Sequence, residues 1–402
     1  MDPTFKSVFK PAFAIIEKIE RHGGEAFIVG GSVRDFLSGR IVGDIDIATS
    51  ETPQRIQKIF KKVIPVGIEH GTVIVRYEGN SYEVTTYRTE KGYEDFRHPD
   101  EVTFVHNIKE DLARRDFTMN AIAMDRRGQI VDPYNGRQAI EQREINAVGN
   151  PSERFLEDPL RMMRAVRFAS QLNFTIENNT KRAISQQSHL LAHISIERIA
   201  EETIKLYKGE GFKLGLELVT DLHLKPHLPH LNQLDLLDQR PKVSLQTWPE
   251  VIAYYSFRRS NSSVKEWVEK WKLSNRCRRE AESLMEGLEE YERKRSISPW
   301  LVYKLPENLF PSFDRLLRAG TGYDQGFLTK MREVLFQLPI RSSNDLAFQA
   351  KDLINLYPDQ PKGPWISQAV EQMEYSIVES HLHNEYEKIK EWVIRWNPPV
   401  NN

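Results

Sequence analysis

Two carboxylates one residue apart, Asp44 and Asp46, lie in Gly43-Asp44-Ile45-Asp46-Ile47-Ala48-Thr49, shortly after the glycine corner Gly30-Gly31-Ser32-Val33-Arg34-Asp35. Side chains alternate along a strand, so the spacing puts both acids on one face while Ile45 and Ile47 turn into the core. Their Cα atoms are then roughly 7 Å apart. From there both can converge on two divalent ions about 4 Å from each other, an arrangement that activates an attacking hydroxyl and neutralises a departing pyrophosphate. Asp-x-Asp by itself is a common pattern, and its bland reading is a turn ahead of a helix cap. The residues before it sharpen the reading. Ala26 to Val29 reads as a buried strand and Ser32 to Leu37 as a short helix that returns the chain. Two glycines at such a corner let a ligand approach the backbone, and the N–H groups of a first helical turn favour an anion, so the corner suits a triphosphate.

A chain of 402 residues is too long for one core, and its length implies about two to four domains. Hydrophobic residues make up 40% and charged residues 28%, the balance of a soluble globular protein. No apolar run approaches the roughly 18 residues of a membrane span, and Met1 to Pro11 has no signal-peptide core. The expected setting is the cytoplasm, with no membrane partner. Cys277 is the single cysteine, so an intrachain disulfide is excluded and no Cys/His cluster points to zinc. The net charge of −1 is only a mild objection to nucleic-acid binding, because phosphates respond to charge within about 10 Å.

Residues 5 to 21 carry Phe9, Phe13, Ile16 and Ile19 at helical spacing, closed by His22-Gly23-Gly24. Thr52-Pro53 opens a helix to about Lys61, and Val63 to Val66 begins a strand region. Thr72 to Tyr77 and Ser81 to Thr86, joined by Glu78-Gly79-Asn80, read as a hairpin. Within it Glu83 alternates with Thr85; beside the Asp44-Asp46 strand it would be a third acid, and otherwise a solvent-facing glutamate. His70 reads as a turn or packing residue. Thr89 to Glu101 mixes both charges without periodicity, the pattern of a mobile loop. In Arg114-Arg115-Asp116-Phe117-Thr118-Met119-Asn120-Ala121 two arginines adjoin a helix burying Phe117, Met119 and Ala121, where a guanidinium fork could meet phosphate oxygens. Ile122 to Asp125 and Gln129 to Asp132 form a second hairpin.

Pro151 to Ala169 holds Glu157-Asp158-Pro159-Leu160-Arg161-Met162-Met163-Arg164-Ala165-Val166-Arg167. Aspartate before proline marks a helix start. At 100° per residue Arg161, Arg164 and Arg167 share an arc of about 120°, with Met162, Met163, Val166 and Ala169 on another. Asp158 alone would be an N-cap and the arginines alone a solvated stripe. Together they can read bases: a carboxylate accepting from an exocyclic amine and a guanidinium donating to a ring nitrogen select cytosine and adenine. A mismatched base would leave buried partners unpaired at about 1 to 3 kcal/mol each.

The Gly-Gly-Ser corner, the Asp-x-Asp strand, RRDFTMNA at 114–121 and EDPLR at 157–161 together resemble the class II tRNA nucleotidyltransferases (CCA-adding enzymes) and the related bacterial poly(A) polymerases, within the superfamily of DNA polymerase beta. The resemblance implies an α+β fold: a nucleotidyltransferase head of mixed sheet and flanking helices at 1–142, then helical neck (143–211), body (212–296) and tail (297–402). It implies CCA addition to the tRNA 3′ end from CTP and ATP, with Mg²⁺ on Asp44 and Asp46. Gly31, Arg34 and Arg115 would hold the triphosphate, and Asp158, Arg161, Arg164 and Arg167 would choose the base, with Arg164 the assumed partner of Asp158. The family's loop at 89–101 switches between C and A. His193 to Glu202 resembles its last shared motif, read as a buttress with Ser195 an N-cap.

From about 212 onward the sequence reads as helices broken by prolines. All seven tryptophans lie in this half, between Trp248 and Trp396, together with basic clusters at 276–279 and 293–295 that could follow an RNA backbone. Relatives imply a homodimer. The rival readings are a poly(A) polymerase, an enzyme adding only the terminal A, and a catalytically silent RNA-binding protein.

Overall fold

The structure, a computed structural model, describes residues 3–92, 96, 100–258, 263–322 and 326–396. Two compact units meet in sequence at Arg240 and Pro241.

In the first unit a helix α1 (Pro3–Arg21) precedes β1 (Ala26–Val29), α2 (Gly31–Leu37), β2 (Asp46–Thr49) and α3 (Pro53–Ile59). The strands β3 (Val63–Pro65), β4 (Thr72–Tyr77) and β5 (Asn80–Thr86) follow, then β6 (Arg88–Lys91), β7 (Glu101–Phe104), α4 (Ile108–Ala113), β8 (Ala123–Met124) and β9 (Ile130–Val131). Seven of the strands form one mixed sheet in the order β3-β4-β5-β2-β1-β8-β9. Its one parallel pair is β2 with β5; the others are antiparallel. Glu78 and Gly79 both take positive φ, 47° and 82°, so the β4–β5 turn is the two-residue type that matches strand twist and Asn80 joins the strand.

One side of the sheet buries Ile28, Ile47, Val73, Val75 and Val84, with Ile15, Ile16 and Ile19 of α1 and Ile56 and Ile59 of α3 also in the core. On the other side Phe27, Val29 and Ala48 cluster with Tyr87, Ile108, Leu112, Ala121 and Ala123. Thr52 caps α3 through its side chain, which accepts from the Arg55 amide, and Pro53 sits at the first turn.

The structure corrects the sequence reading in three places here. β2 starts at Asp46 and Asp44 stands on the bend before it. β1 ends opposite Asp46 at Val29 and turns away into α2, and on the other side β5 pairs with β2 no earlier than Glu83 although it begins at Asn80. The segment around Thr89 to Glu101 is not loop throughout: Arg88 to Lys91 pairs antiparallel with Glu101 to Phe104, while Glu94, Asp95, Arg97 and His98 lie outside the described residues. Phe117, Met119 and Ala121 are fully buried as expected, but on a single 3₁₀ turn, Thr118–Asn120, rather than a regular helix.

After α5 (Gly136–Gln142) and a short strand β10 (Glu144–Ile145) comes α6 (Pro151–Glu157), then α7 (Leu160–Leu172), β11 (Thr175–Ile176) pairing with β10, α8 (Asn178–Gln187) and α9 (Ile196–Lys208). The chain over 151–169 thus holds two helices parted at Asp158, whose φ of −143° and ψ of 98° leave helical space, and the second starts at the Asp158-Pro159 pair as expected. Proline at 159 forces this, since it bars a helical conformation in the preceding residue.

The second unit is helical among its described residues. Trp267, Trp271 and Trp365 are buried, and Trp300, Trp392 and Trp396 pack against a core of Phe348, Trp365, Met373, Ile377 and Val393. The basic residues at 276–279 and 293–295 lie along and just past one helix, Asn275–Lys294. Arg276, Arg278, Arg293 and Arg295 each pair with a glutamate of the same helix three or four residues away. Exposed pairs of this kind are worth about 0.5 kcal/mol, so phosphates can displace them. Cys277 is buried on the same helix, and burial pushes its thiol up to about 12. No helix among the described residues is long and apolar enough to cross a membrane.

Candidate active site

Within the first unit a cavity of about 530 Å³ opens between the end of β1 and the start of α7. Its sheet-side wall begins at Gly30, whose φ of 69° and ψ of −132° suit glycine. A Cβ there would stand 3.0 Å from the Arg115 guanidinium and 4.0 Å from the Asp46 carboxyl. The missing side chain is thus what lets Arg115 and Asp46 approach the corner. Arg34 on α2 lies almost buried, donating through Nη1 to the Asn120 side-chain oxygen at 2.8 Å and through Nε to Asp35 at 2.9 Å. Arg115, just past the end of α4, donates to Asp111 at 3.1 Å. Its Nε has no hydrogen-bond partner in the structure.

Asp46 pairs in register with Val29 on one side and Glu83 on the other. Burial first, then the charges of Glu83 and Asp44, lift its carboxyl from 3.8 to about 6, with Arg115 opposing. A crowd of acids that resists ionisation is the electrostatic setting a bound cation relieves. Among the described residues no three His, Cys, Asp or Glu side chains are close enough to hold an ion by themselves. Mg²⁺ does not require such a cage, since it is usually held by one or two carboxylates plus substrate phosphates. Asp46, with the charge of Asp44 beside it, could supply such carboxylates to a divalent ion.

The facing wall comes from the α6–α7 break. Asp158 Oδ1 accepts from the Leu160 amide at 3.1 Å, so the capping geometry is present, and Oδ2 accepts from Arg198 Nη2 at 2.8 Å. Arg164 is therefore not the partner of Asp158: it donates through Nε to Asp116 Oδ2 at 2.8 Å. Arg161 donates to Glu157 at 2.7 Å and to the Arg114 carbonyl at 3.2 Å. Arg167 pairs with the buried Glu202 at 2.5 Å. The three arginines thus share a helix side without forming a solvated stripe. All three line the cavity, and Arg164, its side chain 34% exposed, is the most open.

Asp116 joins the two walls. Its Oδ1 accepts from the Asn120 amide at 3.1 Å and from the Phe117 N–H at 2.8 Å, while Oδ2 takes Arg164. Burial alone would push this carboxyl up, but Arg164, Asn120 and Arg161 hold it well below the usual carboxylate range. Burial likewise pulls the Arg167 guanidinium down to about 10, against the pull of Glu202. The Phe168 ring, 5% exposed, carries Arg167 at 3.6 Å, Arg34 at 5.1 Å and Arg164 at 5.5 Å from its centroid. Desolvated contacts of this type contribute about 1 to 2 kcal/mol each.

Of the residues singled out in the sequence, Gly31, Arg34, Asp46, Arg115, Asp158, Arg161, Arg164 and Arg167 meet in this cavity. Asp44 and Glu83 do not line it and are exposed beside Asp46. Ser195 occupies the N-cap position of α9, yet its hydroxyl makes no capping bond. The sequence reading assigned no role to Asp116, Asn120, Phe168 or Arg198. Asp116 and Asn120 stand inside RRDFTMNA, four residues apart, and that spacing was the available signal.

Residues 26–146 match the family model "Poly A polymerase head domain", 173–234 match "Probable RNA and SrmB- binding site of polymerase A", and 241–393 match "tRNA nucleotidyltransferase domain 2". Over 397 residues the chain is 43% identical to the CCA-adding enzyme of Anoxybacillus flavithermus, covering 98% of this chain and 99% of that one. This chain belongs to the class II CCA-adding enzyme family. The family member from Oceanobacillus iheyensis is 40% identical over 399 residues, covering 98% of this chain and 99% of its own. The crystal structure of the Bacillus stearothermophilus CCA-adding enzyme in complex with CTP superposes with a TM-score of 0.88 at 38% identity, over 99% of this chain and 98% of that one. A Thermotoga maritima CCA-adding enzyme complexed with tRNA shares the fold at 18% identity and a TM-score of 0.60, over 99% of this chain and 97% of that one.

Asp158 has both oxygens engaged, so Arg198 fixes its orientation. Arg198→Ala is expected to leave the fold intact and to raise UTP incorporation relative to CTP about tenfold, the loss of one charge-assisted hydrogen bond of roughly 1.5 kcal/mol. Competition assays with paired labelled nucleotides measure this ratio.

Proposed function

We propose that this chain adds CCA to the 3′ end of tRNA from CTP and ATP without a nucleic-acid template, releasing pyrophosphate. The single observation behind the reading is full-length kinship with CCA-adding enzymes in a chain whose cavity gathers an acid, phosphate-sized donors and base-sized donors. Poly(A) synthesis, A-only addition and silent RNA binding are not favoured.

In this reading Asp44 and Asp46 hold Mg²⁺, and Glu83 stands beside them as a third acid. When bound, the metal supplies charge neutralisation at the α-phosphate and lowers the pKa of the attacking hydroxyl. Gly31, Arg34 and Arg115 take the triphosphate, Arg115 through donors that include its unpartnered Nε. Asp158, Arg161, Arg164 and Arg167 present one acceptor and several donors to the base edge. Asn120 and Asp116 hold Arg34 and Arg164 in fixed relation, so the phosphate and base ends of the nucleotide are positioned together. We assign the head to 1–142, the neck to 143–211, the body to 212–296 and the tail to 297–402, and place the enzyme in the cytoplasm.

Labelled CTP or ATP offered with tRNAs ending at the discriminator base, at C or at CC tests the reading. Two C additions followed by one A, then arrest, is the expected result. Refusal of CTP, or long A-tails on unstructured RNA, would overturn it.

A further inference from the structure

Strand register lines up four side chains across the head sheet. Ile64 on β3 faces Ile74 on β4, Ile74 faces Glu83 on β5, and Glu83 faces Asp46 on β2. Cross-strand partners share a side, and strands are about 4.8 Å apart, which puts Ile74 roughly 10 Å and Ile64 roughly 14 Å from Asp46. A second row runs beside the first: the Lys62 carbonyl accepts from the Arg76 amide at 3.0 Å, and Arg76 faces Ser81. A third places the Thr72 and Thr85 hydroxyls 3.1 Å apart.

The reverse side of these strands, Val73, Val75, Tyr82 and Val84, is buried. On this side Lys62, Ile64, Arg76, Ser81 and Glu83 are exposed and Thr72, Ile74 and Thr85 half-buried. An apolar file, edged by two cations, therefore leads from the acid pair toward the sheet edge.

In-line displacement says what belongs there. Asp46 has the Gly30 corner and Arg115 on its β1 side and Glu83 on its β5 side. Pyrophosphate leaves toward the arginines, so the attacking hydroxyl approaches the α-phosphate from the opposite side. That side is the file through Glu83 and Ile74. The RNA strand carrying the hydroxyl must then cross the sheet from there.

We propose that Ile64, Ile74 and Arg76, with Lys62, form the platform for the last nucleotides of the acceptor strand. Sugar and base faces rest on the isoleucines, and phosphates meet the two cations. The length accommodates on the order of three nucleotides at about 3.4 Å each. This rests on the proposed reaction, but adds a subsite outside the nucleotide cavity.

The test uses full-length enzyme, tRNA lacking its CCA end, and separate Ile74→Asp and Arg76→Ala variants. CTP affinity is measured without RNA, and CTP incorporation is followed as tRNA and salt are varied. Each variant is expected to lose about tenfold in kcat/KM for tRNA while keeping CTP affinity within about twofold, and Arg76→Ala to flatten the salt dependence by about one phosphate contact. Wild-type use of tRNA by both variants overturns the platform. So does loss of CTP affinity in Arg76→Ala, whose exposed side chain would then serve the nucleotide. Failure of the wild-type enzyme to transfer CTP to tRNA would instead sink the reaction assignment, and the platform with it.

Discussion

Asp46→Asn is expected to reduce nucleotide incorporation by about 10⁴-fold, since metal-assisted charge stabilisation is worth several kcal/mol, while tRNA binding is preserved. The same substitution should make the protein harder to unfold. Burial, Glu83 and Asp44 lift this carboxyl to about 6, so the native state takes up a proton more readily than the unfolded chain. Stability then falls as pH rises from about 4 to about 6 and stays lower above that window. The cost at neutral pH is roughly 2 to 3 kcal/mol at about 1.4 kcal/mol per tenfold, reduced for solvent screening. Asparagine removes the charge and with it the penalty. Denaturation in a chelator at pH 7 should show the variant above wild type, with the gap closing near pH 4. A variant that is inactive and also less stable at pH 7 would contradict this account of the site.

Asp116→Asn should destabilise the fold strongly. The carboxylate receives Arg164, the Asn120 amide and the Phe117 N–H, and asparagine cannot accept from all three. Breaking a buried ion pair typically costs 3 to 5 kcal/mol; Arg164 keeps about a third of its side chain in solvent, so a loss of about 2 to 3 kcal/mol is expected. Because the native pKa is depressed, this contribution is complete above the ordinary carboxylate pKa of about 3.9 and is lost as pH falls through the depressed value. Wild type and variant should therefore converge only in strong acid. With Arg164 released, KM for both nucleotides should rise about tenfold. A double-mutant cycle with Arg164→Ala measures the coupling directly.

Local pattern revealed much of this site. The side of its strand that Glu83 shares with Thr85, a turn around Glu78-Gly79-Asn80, the helix start at Asp158-Pro159 and the arginine arc follow from periodicities of two or 3.6 residues and from glycine and proline geometry; that β5 lies beside Asp46 and begins at Asn80 does not. Partners separated by long stretches of chain did not show. Asp116 meets Arg164 across 48 residues and Arg34 meets Asn120 across 86. Periodicity says which side of an element a residue occupies, not which element stands opposite. For that reason the sequence suggests Asp158, at the start of the same helix, as the partner of Arg164 and suggests nothing for Arg198, 40 residues from Asp158. That Asp44 stands before β2 and not on it is a related case: where a strand begins depends on the pairing of its neighbours, here β1 and β5, which lies outside its own sequence.

The single sulfhydryl of this chain has a practical consequence. Held near pKa 12 inside its helix, Cys277 carries almost no thiolate at neutral pH, so alkylating probes and mild oxidants find little to attack. A cysteine introduced at an exposed position such as Arg76 would then be the dominant label, and a dye or photocrosslinker there would report on passing RNA against a nearly silent background.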